Sequence, residues 1–94
     1  MSGLKQKPTW LHDRMLKADG FDDAVVGIGY RCGQEHLLVY DVEKGVNILM
    51  TRDGMTLEEA EDFFEFNVAG SWAGSGTPIW LYPDKLKDIN LEDY

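Results

Sequence analysis

Residues 41–70 carry the pattern that most constrains this chain: two amphipathic helices separated by an Asp53-Gly54 turn. On a helical wheel Val42, Val46, Leu49 and Met50 share one side, while Glu43, Asn47 and Thr51 lie opposite. Asp41 can accept the free N–H groups of the first turn, and Gly54 can take the left-handed conformation that ends a helix. Gly45 is the exception, costing about 1 kcal/mol relative to alanine in a helix interior. Its presence predicts a close helix contact. The second helix begins with Thr56 and Glu59 at capping-box spacing, each satisfying a first-turn N–H of the other. Glu58, Glu59, Glu61 and Asp62 then fall near the positive end of the helix dipole. Leu57, Ala60, Phe63, Phe64 and Val68 are predicted to face the core. Phe66 lies nearly opposite Leu57, among Glu58, Glu59, Asp62 and Glu65, so it is either covered by another segment or is a contact point for a partner.

What surrounds this pair reads as a small sheet. Residues 24–30 alternate as a strand, with Val26, Ile28 and Tyr30 on one face and Val25, Gly27 and Gly29 on the other. The two glycines leave one face bare enough for another backbone or an aromatic ring. Residues 36–40 form a second strand, joined to the first as an antiparallel hairpin across Gly33. Residues 79–82 form a third, which can pair with either neighbour. Thr9 is expected to cap a helix over residues 10–18, with Trp10, Leu11 and Met15 inward and His12 and Arg14 toward solvent. The expected fold is therefore α+β: a small antiparallel sheet of about three strands packed against a helical hairpin, in the order α-β-β-α-α-β. All 94 residues make one domain, with residues 1–8 and 84–94 expected to be flexible. An open strand edge keeps a homodimer in view.

Composition narrows the function. The net charge is −8, and no Lys or Arg occurs between Arg52 and Lys85, a stretch that contains Asp53, Glu58, Glu59, Glu61, Asp62, Glu65 and Asp84. Such a surface repels phosphate backbones, which argues against direct nucleic-acid binding and for a protein partner with a basic surface. A solvated face that serves only solubility explains the same residues. The single Cys32 excludes an internal disulfide framework and fits a reducing, cytoplasmic setting. The start, Met1-Ser2-Gly3-Leu4-Lys5, leads into no apolar run of signal-peptide length and no run of membrane-spanning length follows, so neither a signal peptide nor a membrane partner is expected.

The catalytic and metal signals are thin. His12 and His36 sit in unrelated elements, and the helix carboxylates lack an opposing cluster, so no metal or other cofactor is expected. Arg31, Cys32, His36 and Asp41 are the residues from which a small hydrolase would have to be built, but no orienting third group is evident. The glycines of residues 69–78 lack a P-loop ending. No enzymatic activity is expected. Among three tryptophans, Trp80 is expected in the core, and Trp72, in the glycine-rich loop, either stands exposed or folds back over Phe66. The expected partner-binding set is Glu58, Glu59, Glu61, Asp62, Glu65, Phe66 and Trp72: an aromatic centre with a charged rim.

At Gly29-Tyr30-Arg31-Cys32-Gly33-Gln34-Glu35, Tyr40-Asp41, Asp53-Gly54-Met55, Glu58-Glu59-Ala60, Phe66-Asn67-Val68-Ala69-Gly70-Ser71-Trp72 and Thr77-Pro78, the chain resembles a group of small uncharacterised proteins of tailed bacteriophages. The likeness spans roughly residues 19–82. It implies a phage or prophage setting and nothing catalytic. By analogy with other small acidic phage proteins, the expected role is binding and inhibiting a host protein, including nucleases and CRISPR effectors with basic channels, as a mimic of DNA. The alternative is a homo-oligomeric structural or assembly accessory of a phage.

Overall fold

The computed structural model describes residues 8–94. Strands β1 (Val25–Gly29) and β2 (Leu37–Asp41) pair antiparallel, and β3 (Ile79–Leu81) lies on the other side of β2. Helices α1 (Val42–Asp53) and α2 (Leu57–Phe64) follow β2 directly, and α2 continues into a π-helical turn, Glu65–Ala69. The architecture is α+β as expected, with two departures. The sheet is mixed rather than antiparallel, because β3 runs parallel to β2 after the helical crossover. And residues 10–18 form no helix.

That leading segment is a strap across the sheet's end, held by contacts distant in sequence. The Leu16 N–H donates to the Gly76 carbonyl (3.1 Å), the Ala18 N–H to the Tyr40 hydroxyl (2.8 Å), and His12 Nε2 meets the His36 carbonyl (2.8 Å). His12 is therefore part-buried rather than turned to solvent, with Nδ1 3.4 Å from Glu35, while exposed Arg14 pairs with the same carboxylate. A helix would withdraw these backbone groups into its own ladder, so the tertiary bonds override the local pattern. Gly76 permits the close approach, since a β-carbon there would overlap the Arg14 carbonyl. The expected flexibility of residues 1–8 falls, apart from Pro8, outside the described residues. Residues 84–94 form exposed 3-10 turns, Pro83–Asp88 and Leu91–Asp93, without buried side chains.

The helical hairpin forms as its sequence dictates. Asp41 accepts from the Lys44 N–H, Gly54 closes α1 at φ 70°, and Thr56 and Glu59 complete the capping box in both directions. Val42, Val46 and Leu49 are buried, and Gly45 lies against Phe64 so tightly that a β-carbon would overlap the ring. Phe64 is the centre of the core. Its ring meets Phe21 and Trp80 edge-on, at centroid distances of 5.5 and 5.7 Å, and Trp80 in turn packs on the buried Tyr40.

The expected faces need two corrections. A bulge between Val25 and Gly27 inserts a residue, so Val25 and Ile28, opposite Tyr40 and Leu38, share the inner face instead of alternating. On the outer face Gly29 is approached by the Ile79 and Val39 side chains, neither backbone nor aromatic. Along α2 and its π-helical turn only Ala60, Phe64 and Val68 are buried, and Leu57 and Phe63 are exposed. One neighbouring helix and a narrow sheet cover a single i, i+4 stripe of α2, leaving the rest of the apolar arc outside.

Candidate functional site

The outer surface of α2 and its π-helical turn is the most distinctive part of the molecule. Glu58, Asp62 and Phe66, spaced four apart, make one exposed stripe; Leu57, Glu61 and Glu65 make another beside it. Phe66 is 79% exposed and Trp72 77%, and neither ring contacts another aromatic ring among the described residues. Of the two alternatives for Trp72, it is the exposed one that the structure shows, and Trp72 does not fold back over Phe66. Hydrogen bonds explain it: residues 69–78 are drawn toward the strap by Leu16 and Gly76, and tied to themselves. The Ala73 N–H donates to the Thr77 hydroxyl (2.9 Å), which donates to the Gly74 carbonyl (2.8 Å). Gly70 closes the wide turn where a β-carbon would meet the Glu65 carbonyl oxygen at 2.6 Å.

Electrostatically, this surface has no partner of opposite charge among the described residues. Among the described residues no ion pair engages Glu58, Glu59, Glu61, Asp62 or Glu65. Glu59 is committed to the helix cap, and its bonds to the Thr56 N–H and hydroxyl hold its carboxyl below the ordinary range. Glu65 accepts from the Tyr82 hydroxyl (3.0 Å), which is raised first by burial and then by that carboxylate. Among the described residues the side chains of Glu58, Glu61 and Asp62 make no hydrogen bond or ion pair.

On its α1 side this acidic surface borders a groove of about 660 Å³ that the sequence did not announce. Its floor is apolar, from Val42, Val46, Met50 and Leu57, and its rim carries Glu43, Glu61, Glu65 and Asp84. Glu43 is held above the usual carboxylate range, by partial desolvation at the rim first and then by the neighbouring Asp84. The 3-10 turn after β3 forms the far wall, with Lys85 Nζ 4.1 Å from the Tyr82 ring centroid. Only residues well apart in sequence produce this groove, although the four-residue spacing of Val42, Val46 and Met50 was a legible part of it.

The hydrolase candidates are not brought together. The Asp41 carboxylate caps α1, Cys32 is an exposed thiol in the β1–β2 turn, and His36 stacks between Tyr30 (4.3 Å) and Trp10 (4.9 Å). Arg31, Cys32 and His36 share no side-chain hydrogen bond among the described residues, so no nucleophile–base pair is formed. Nor do three or more His, Cys, Asp or Glu side chains converge as a metal-binding group there. No helix in the described chain is long and apolar enough to cross a membrane. Compared with protein-family models, curated proteins and solved structures, the chain finds no match in any of the three.

Proposed function

We propose that this protein is a non-enzymatic binding module that engages a basic surface of another protein through Glu58, Glu61, Asp62 and Glu65, with Phe66 and Trp72 as aromatic anchors. The observation that carries the reading is an almost bare Phe66 among carboxylates that no ion pair among the described residues neutralises, with Trp72 equally bare in the loop that follows. Exposed aromatics beside a polar, charged rim are the anatomy of an interface. The resemblance to small phage proteins supports a host or phage protein as the partner, with carboxylates standing where nucleic-acid phosphates would otherwise sit. Capture of a bacterial protein by the immobilised chain tests this. It should weaken as salt rises and be lost, by tenfold or more, when Glu58, Asp62 and Glu65 are all changed to Lys. Unchanged capture by that variant would remove the acidic face from the account.

A second reading, a homo-oligomeric accessory protein, is favoured by the outer face of the sheet. Leu37, Val39, Ile79 and Leu81 lie there partly or substantially exposed, and β1 and β3 are both edge strands. Light scattering of the purified chain separates the two readings, because a monomer at micromolar concentration removes the second.

A further inference from the structure

The groove beside α2 has the geometry to define what kind of partner segment docks. Its floor follows α1 from Val42 to Met50, eight helical steps or about 12 Å at 1.5 Å per residue, the length of about two helical turns. Rows of residues four apart on α1 and α2 flank a furrow into which the ridge of a third helix can pack. Backbone chemistry selects a helix over an extended peptide. The floor and the near wall are the helices α1 and α2, whose N–H and C=O groups are bonded internally, so an extended guest would leave most of its own backbone unpaired, whereas a helix satisfies itself. Charge selects a cationic one. Glu43, Glu61, Glu65 and Asp84 surround an apolar floor, and the chain's own Lys85 already places its ammonium over Tyr82, whose hydroxyl is bonded to Glu65.

We propose that the groove between α1 and α2 receives a short amphipathic helix of the partner protein, with apolar side chains on Val46, Met50 and Leu57 and lysines or arginines against the acidic rim. This deepens, and rests on, the reading of α2 as a recognition face. It assigns the Leu57–Glu61–Glu65 stripe to the groove and leaves the Glu58–Asp62–Phe66 stripe for the surface beyond it.

A fluorescently labelled, capped peptide of about four turns, with leucines at helical i, i+4, i+7 spacing and lysines flanking them, is the probe, read by anisotropy against the full chain. Saturable binding is expected, weakened about tenfold or more by Met50→Lys and by Glu61→Lys, and lost when proline is placed mid-peptide. Leu57→Ser, at a side chain already more than half exposed, should weaken binding without touching the fold, and circular dichroism verifies each variant. Absence of saturable binding would overturn the inference, as would equal binding of the proline peptide or of a scrambled peptide of the same composition. So would wild-type affinity in Leu57→Ser together with Glu61→Lys. The underlying reading fails separately. If protein capture is abolished by Glu58→Lys with Asp62→Lys while the peptide does not bind, the groove is wrong and the acidic face stands. If the peptide binds and capture ignores those charges, the reverse holds.

Discussion

At the scale of single residues, the core is organised by one missing side chain. Gly45 admits the Phe64 ring against α1, and that ring then anchors Phe21 and Trp80. Alanine at position 45 would gain about 1 kcal/mol of helix propensity. It would also force Phe64 away from a packed position, an overpacking cost of about 1–3 kcal/mol. Gly45→Ala is therefore predicted to destabilise the chain by up to about 2 kcal/mol net in urea denaturation. Combined with Phe64→Leu its effect should be clearly less than additive, because the clash has gone; additivity would mean the two residues do not meet. The sequence revealed the contact, since a glycine inside a good helical pattern needs a packing reason. It did not reveal Phe21, an isolated aromatic without periodic neighbours, whose place depends on a turn stapled by Arg52. That guanidinium donates to the Gly20 carbonyl (2.7 Å) and lies over the Phe21 ring.

Among elements, those with local signals were legible and those fixed by distant partners were not. The two helices, their caps and the β1–β2 hairpin follow from spacing and capping chemistry. The strap does not, because its hydrogen bonds to Tyr40, His36 and Gly76 exist only once the sheet has formed. The bulge in β1 escaped for the same reason: an extra residue is defined by the partner strand. Of the expected binding set, Glu58, Glu61, Asp62, Glu65, Phe66 and Trp72 are exposed, Glu65 with one oxygen bonded by the Tyr82 hydroxyl, whereas Glu59 is occupied in its own helix. The capping box also sets a pH dependence. Because the folded state holds Glu59 below its ordinary value of 4.5, its contribution is full above that pH and fades as pH falls through the depressed folded value. Glu59→Gln should lower stability at neutral pH and make the acid-induced loss shallower. An identical pH profile in thermal denaturation would show that the reciprocal bond to Thr56 contributes nothing.

For the whole molecule, the distribution of charge and apolar surface separates what the core uses from what it leaves exposed. The inner side of the hairpin is consumed by the core, while the outer side of α2, the π-helical turn and Trp72 hold negative charge and bare aromatic rings that the fold itself does not use. Solubility alone explains carboxylates, but not Phe66 standing bare among them, or an equally bare Trp72. Hydrogen exchange on the complex with the captured protein is the most direct measurement of that claim. Amides of residues 57–72 are predicted to exchange more slowly in the complex than in the free chain, with the edges of the sheet unchanged. Protection confined to β1 and β3, with residues 57–72 exchanging as in the free protein, would contradict it.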